Sequence, residues 1–274
     1  MIKTKHKHSY LLLVIFTTFW VLFAFLFGLK QCSKKSNDLP KIVKRGIIRV
    51  CGEEDLFSYY ADKKGFHGFQ YELAKAFSDK YNLDLEYTTE TNLKKRINLL
   101  TSGKCDILTG PLPILSEFRG TISYTEPILK SYVVLVQRKK DFNDGKNPIR
   151  DQILLGGKKI AVTENSPYIS RMHHLANEIS DSIHIREFIG KKNKDLLIDV
   201  SRGLVDFAAC DHFVAQSYLQ KYPKIDIQTN LGLTHFQAWA VKPGKTTLLD
   251  SLNRFITEYK KSPAFARLLQ KYSN

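Results

Sequence analysis

The chain has 274 residues, of which 43% are hydrophobic and 25% charged, so it can bury a sizeable core and is neither disordered nor fibrous. Its 42 Lys and Arg residues exceed its 27 Asp and Glu residues, which gives a formal net charge of +15. The basic residues are scattered along the chain without a stripe of interleaved aromatics, which argues against nucleic acid as a partner. We interpret the charge as a solvated basic surface that could lean toward an anionic lipid or wall polymer.

The N-terminal segment, residues 1–41, is predicted to be a membrane anchor or signal followed by a short polar tether. Three lysines in the first nine residues precede an uncharged run over residues 10–29, about the length of a membrane-spanning helix. Three forms remain open: an uncleaved transmembrane helix, a cleaved signal, or a lipid attached to Cys32. Each form would place the following residues outside the cytoplasm.

From about residue 42 the chain alternates strand-like and helix-like segments. Strands are predicted at residues 47–52, 83–88 and 105–109, and helices at 69–81 and 93–102 lie between them. This alternation predicts a parallel sheet covered by helices on both faces.

A β-rich run over residues 132–138 and the turn signals after it mark the predicted crossing into a second α/β unit. There, Ser166 is predicted to cap a helix that opens at Pro167. The other predicted elements are strands at 159–163, 184–188, 206–210 and 236–241, and helices at 196–202, 248–259 and 265–272.

The predicted fold class is therefore α/β, with two lobes and a ligand cleft between them. Residues 42–137 and 236–274 are expected to form lobe 1, and residues 138–235 to form lobe 2.

Three cysteines of the globular part, Cys51, Cys105 and Cys210, are widely spaced and have no histidine at ligand spacing. We therefore expect no metal site, and no motif calls for a cofactor. We also expect Cys51 and Cys105 to stay unpaired, because the proposed sheet puts them at opposite ends of neighbouring parallel strands.

Six short motifs, in order, resemble the bacterial extracellular solute-binding proteins of family 3 over residues about 42–272. The motifs lie at residues 46–50, 65–74, 99–108, 124–127, 203–211 and 239–242. The resemblance implies a periplasmic-binding-protein fold of type II that closes over a small amino-acid-like or peptide-like ligand without catalysis. The alternative that it implies is an amino-acid capture protein of an ABC transporter, with a permease as partner.

Within that family, residues 134–138, 147–151 and 237–241 resemble the non-catalytic N-terminal domain of membrane-bound lytic murein transglycosylases. In such enzymes a lysozyme-like domain follows and carries the catalytic glutamate. Because the chain ends at Asn274 directly after the last predicted helix, we expect no enzyme activity in this chain. The resemblance adds a muropeptide as a ligand and a cell-wall enzyme, of which this chain would be an accessory, as a partner.

Two candidate ligand contacts follow strands of the second unit. Asp211 could hold a ligand ammonium, and the resemblance implies this role, but an N-cap for the next helix is the alternative. Ser166 and the N–H groups after it could accept a ligand carboxylate, although capping alone would also explain this serine.

Three further candidates lie in the first unit. The resemblance implies an arginine clamp near Arg119, but a count without gaps puts Phe118 in that slot. Either Arg119 substitutes through a shift of one residue or the clamp is missing, and we favour the second. Tyr59 and Tyr60 could form an aromatic wall at the mouth of the cleft, although packing within the first lobe is the alternative.

Overall fold

A computed structural model of the protein describes residues 38–232 and 234–273. Both the predicted membrane segment and the candidate lipidation site Cys32 lie outside these residues. Across the described ranges, no helix combines the length and the apolar character that crossing a membrane requires.

Helices and strands alternate along the described chain as the sequence pattern predicts. In the first part they are α1 (Asp38–Arg45), β1 (Ile47–Gly52), β2 (Tyr60–Asp62), β3 (Gly65–His67), α2 (Phe69–Lys80), β4 (Asp84–Thr89), α3 (Leu93–Thr101), β5 (Ile107–Leu108), β6 (Ser123–Tyr124), β7 (Leu129–Ser131) and β8 (Val133–Arg138). In the second part they are β9 (Lys159–Thr163), α4 (Ile169–Glu178), β10 (His184–Phe188), α5 (Asn193–Arg202), β11 (Phe207–Asp211), α6 (His212–Gln216), β12 (Ile225–Asn230), β13 (His235–Gln237), β14 (Ala240–Val241), α7 (Thr246–Tyr259) and α8 (Pro263–Ser273).

The first sheet has the strand order β4-β1-β5-β14-β6. Strand β1 runs parallel to both of its neighbours, whereas β14 is antiparallel to β5 and β6. Helix α2 packs its apolar side inward, with Phe69, Leu73 and Phe77 each at most 1% exposed. Their spacing of four residues places them on one face of the helix, as the sequence predicts.

The second sheet has the order β10-β9-β11-β8-β12. Strand β8 pairs antiparallel with β11 and β12 of this sheet. The expected lobe boundary at residue 137 would instead place most of β8 in the first unit. The short strands β7 and β13 pair with each other just outside it. The chain therefore crosses from the first sheet to the second before Val133, whereas the expected lobe boundary follows residue 137.

Helix α4 begins at Ile169, not at Pro167 as the sequence pattern predicts. The residues before it form a turn in which Asn165 has a φ of 53° and the Ser166 N–H donates to the Thr163 oxygen at 3.1 Å. The positive φ of Asn165 excludes that residue from a right-handed helix, and the helix itself begins four residues later. Ser166 therefore does not cap α4, whose N-cap position is Tyr168.

Cys51 and Cys105 are joined by a disulfide, so the expectation that they stay unpaired was wrong. The expectation assumed that Cys105 begins a strand over residues 105–109. Strand β5 spans only Ile107 and Leu108, and Cys105 lies in the turn before it. The turn brings the two Cα atoms to 6.1 Å, within disulfide range. Cys210 is buried and free.

Candidate functional site

The carboxyl ends of the parallel strands in the two sheets come together across the molecule. On the first sheet, Glu53 follows β1, and residues 109–111 follow β5. On the second sheet, β11 ends at Asp211, and the loop after β9 leads to Tyr168. The Tyr168 hydroxyl donates to the Pro111 oxygen at 3.3 Å, which joins the two sides directly. Open α/β sheets bind ligands outside such strand ends, so this is the candidate site.

Two cavities that share several lining residues lie at this junction, with volumes of about 360 Å³ and about 480 Å³. Glu117 of the first-sheet side and Pro167 and Ser170 of the second-sheet side line both of them. Tyr168 lines the smaller cavity, and Ser166 lines the larger one. Space for a small ligand therefore exists where the two sides face each other.

Arg96 is a buried charge of the site that the sequence analysis missed. Its side chain is 3% exposed and forms an ion pair with Glu53, whose side chain is 11% exposed. The same guanidinium donates to the Thr109 oxygen at 3.3 Å. Its signal in the sequence was its place on the face of α3 that carries the buried Leu93 and Leu100.

Acidic residues after β1 meet the start of helix α5 from the other sheet. The second carboxylate oxygen of Glu53 accepts from the Asn193 side chain at 3.0 Å. Glu54 accepts from Lys192 at 2.6 Å and from Lys194 at 2.9 Å. These hydrogen bonds, that of Lys192 first, lower the pKa of Glu54. The two sides of the site are thus connected by charge as well as by the Tyr168 contact.

Asp55 is a second buried carboxylate beside Glu53 and is 3% exposed. One of its oxygens accepts from the N–H groups of Phe57 at 2.8 Å and Ser58 at 2.6 Å. Burial, together with the negative charge of Glu53, raises the pKa of Asp55 to about 7.

The structure places Asp211 in a network of hydrogen bonds with the protein itself. Its carboxylate accepts from the Phe213 N–H at 2.9 Å, which is the N-cap interaction that the sequence offered as the alternative. It also accepts from the Ser131 hydroxyl at 2.7 Å and the Gln237 amide at 2.6 Å. Ser131 and Gln237 belong to the crossing strands β7 and β13, so Asp211, 1% exposed, ties the end of β11 to that crossing.

The other predicted contacts are not brought together at one place. The Ser166 hydroxyl accepts from the Tyr168 N–H at 3.3 Å, close to the junction. Arg119 is exposed and lines neither of the two cavities. Tyr59 stacks on Tyr87 with ring centroids 4.6 Å apart, whereas Tyr60 lines a separate cavity of about 570 Å³ beside α8.

Known proteins similar in sequence include membrane-bound lytic murein transglycosylase F of Pseudomonas putida (strain W619). That relative is 28% identical over 246 residues, which cover 89% of this chain and 50% of the relative. The same enzyme of Pseudomonas fluorescens is 27% identical over 256 residues, which cover 92% of this chain and 51% of the relative. The chain thus spans about half the length of these relatives.

Solved structures of amino-acid-binding proteins share the fold. An ancestral arginine-binding protein bound to arginine superposes with a TM-score of 0.73 and 24% identity, covering 84% of this chain and 99% of its own. The solute receptor for L-cysteine of Neisseria gonorrhoeae has a TM-score of 0.72 and 20% identity, and the match covers 85% of this chain and 92% of the receptor. Holo ArgBP from T. maritima has a TM-score of 0.68 and 25% identity, and the match covers 86% of this chain and 99% of ArgBP.

The sequence model of one family matches residues 48–274, which is most of the chain and includes both sheets. The match confirms the resemblance that the six sequence motifs indicated. The chain belongs to the bacterial extracellular solute-binding proteins, family 3.

Proposed function

We propose that this chain is an extracytoplasmic solute-binding protein that holds a small amino-acid-like or peptide-like ligand between two lobes and carries out no reaction on it. The observation that carries the proposal is the pair of cavities between the strand ends of the two sheets. Lobe 1 would carry the first sheet and lobe 2 the second, and closure of the lobes would enclose the ligand.

Within the proposed ligand class, the charges of the site favour a peptide over a free amino acid. A free amino acid carries both of its charges on one carbon atom and therefore needs an available cation and anion close together, whereas the charged ends of a peptide lie apart. Arg96 is engaged by Glu53, Asp211 accepts three hydrogen bonds from the protein, and Arg119 lies outside both cavities. A murein-derived peptide fits this arrangement and agrees with the similarity to murein transglycosylases.

Two observations support a location outside the cytoplasm. Disulfides such as Cys51–Cys105 persist in oxidising compartments, including the bacterial periplasm. The family is described as extracellular. We propose that the uncharged run over residues 10–29 directs or anchors the chain there.

An alternative function is amino-acid capture for an ABC transporter, with a permease as partner. The fold shared with amino-acid-binding proteins favours it. A further alternative is an accessory role beside a cell-wall enzyme, which the transglycosylase relatives favour.

A thermal-shift screen tests the proposal, because a ligand that binds the native state raises the melting temperature. The purified protein is heated with each of the twenty free amino acids and with a panel of murein-derived peptides. We expect at least one peptide to raise the melting temperature. A single responding free amino acid would instead support the transport alternative, and no response from either panel would contradict solute binding.

A variant that fills the two cavities tests whether the ligand binds in them. Ser170 is exposed and lines both cavities, so Ser170→Trp should abolish the ligand-induced shift without altering the melting temperature of the free protein. Asn177→Trp, at another exposed position of α4, is the matched control and should retain the full shift. An unchanged shift in Ser170→Trp would place the ligand elsewhere.

A further inference from the structure

Tyr168 is a large side chain that lines the smaller cavity and also reaches across the candidate site. Only 5% of the residue is exposed, although it follows a surface turn and precedes helix α4. Its hydroxyl crosses to the first-sheet side and donates to the Pro111 oxygen. Its ring lies 6.2 Å from the ring of His235, on the crossing strand β13. The ring therefore stands between the two sides of the molecule.

The groups that interact electrostatically with the Tyr168 hydroxyl come from both sheets. Asp211 and Cys210 belong to the end of β11 in the second sheet, and Glu53 and Arg96 belong to the first-sheet side. Burial, followed by the charge of Asp211, raises the pKa of Tyr168, so the phenol stays neutral and remains a hydrogen-bond donor. The ring thus occupies the place where the strand ends of the two sheets converge, which is where open α/β sheets hold their ligands.

Tyr168 lines the smaller cavity, and its chain neighbours Pro167 and Ile169 line the larger one. Both cavities are lined by Pro167 and Ser170, the residues on either side of the segment that carries Tyr168. Two polar atoms of the groups around Glu53, Arg96 Nε and the second carboxylate oxygen of Asp55, are buried without a hydrogen-bond partner among the described residues. Arg96, although paired with Glu53, thus keeps one unused donor, and Asp55 keeps one unused acceptor.

We propose that Tyr168 is a specificity-determining residue whose side chain fills the inner end of the cleft and excludes free α-amino acids. Ligands are then restricted to the outer cavities around Glu117, Pro167 and Ser170. This inference rests on the proposed function, since it states which solutes that same cleft admits.

The test compares the wild type with Tyr168→Ala, which removes the ring, and Tyr168→Phe, which keeps the ring and removes only the hydroxyl. Each protein is titrated with the twenty free L-amino acids by thermal shift and calorimetry. Tyr168→Ala should gain binding of at least one free amino acid, with an affinity at least tenfold above that of the wild type. Tyr168→Phe should behave as the wild type, because its ring still fills the space.

A second probe, 4-methylphenol, reproduces the lost side chain. It should raise the melting temperature of Tyr168→Ala but not of the wild type, and it should compete with the newly bound amino acid. If Tyr168→Ala does not fold, Tyr168→Leu, which keeps an apolar but smaller side chain, takes its place with the same expected gain.

The outcomes separate this inference from the proposed function. If Tyr168→Ala binds 4-methylphenol but no amino acid, the ring of Tyr168 serves only for packing and the inference is overturned. Equal amino-acid affinity in the wild type and Tyr168→Ala would also overturn it, while solute binding would stand. Failure of the wild type to bind any murein-derived peptide or amino acid, with a gain in Tyr168→Ala, would contradict the proposed function alone.

Discussion

Asp55 shows at the scale of one residue how burial changes the chemistry of a carboxyl group. Its carboxyl lies in the interior next to Glu53, and its hydrogen bonds to Phe57 and Ser58 N–H groups reach only one of its oxygens. The desolvation of a negative charge there outweighs those two hydrogen bonds, which is why the pKa rises.

This shift predicts a pH dependence of stability. The pKa of Asp55 is about 7 in the folded protein and about 3.9 in an unfolded chain. The folded state therefore binds more protons between these values, and the free energy of unfolding contributed by Asp55 is fully present below pH ~4 and is lost as the pH rises through about 7. Asp55→Asn should remove this dependence of the free energy of unfolding on pH, which amounts to at most about 1.4 kcal/mol per pH unit.

Urea denaturation of both proteins from pH 4 to pH 8 measures the difference. The exposed Asp84→Asn is the control and should leave the slope as it is in the wild type. If the free energy of unfolding changed with pH in the same way in the wild type and in Asp55→Asn, the raised pKa of Asp55 would be contradicted.

At the scale of elements, the disulfide holds the end of β1 to the turn between α3 and β5. It joins residues 54 positions apart, and both cysteines lie in a small core with Leu93, Leu100 and Leu108. Such a bond restricts the unfolded chain across α2, β4 and α3, all of which lie between its ends.

Replacing both Cys51 and Cys105 with alanine should lower the free energy of unfolding by roughly 2–4 kcal/mol. The melting temperature of the wild type should fall on addition of a reductant, and that of the double variant should not. The variant Cys210→Ala, which removes the free buried thiol, should remain as sensitive to the reductant as the wild type. Free thiols at both positions in protein exported to an oxidising compartment would refute the bond.

At the scale of the whole molecule, the contacts of Glu54 with Lys192 and Lys194 join the two sides of the cleft. All three side chains are about one-third exposed, so each pair is worth roughly 0.2–1 kcal/mol in water. If the proposed lobes open and close, these pairs stabilise the closed arrangement only modestly.

Glu54→Gln should therefore shift the equilibrium toward the open form by roughly two- to fivefold, as expected for about 0.5–1 kcal/mol. Small-angle scattering without ligand would detect this as a larger radius of gyration. The difference from wild type should shrink in high salt, which screens partly exposed pairs. Glu178→Gln is the control, since its partner Arg171 lies on the same helix; an equal expansion in that variant would argue against a specific role of Glu54.

Most of the helices and strands, and the family, could be predicted from the sequence. Strands β9 and β10 and helix α2 were located within a residue, because apolar periodicity is a local property of the chain. The motif order led to the correct family for the same reason, since each motif occupies a short stretch.

The contacts between residues far apart in the sequence could not be predicted in this way and are seen only in the folded structure. The disulfide depended on where a turn places Cys105, and the sheet to which β8 belongs depended on hydrogen bonds with strands about 70 to 95 residues later. The ion pair of Arg96 with Glu53 and the position of Tyr168 between the sheets have the same origin. Such contacts follow from how packed elements pair across the fold, and local periodicity and spacing carry no information on that pairing.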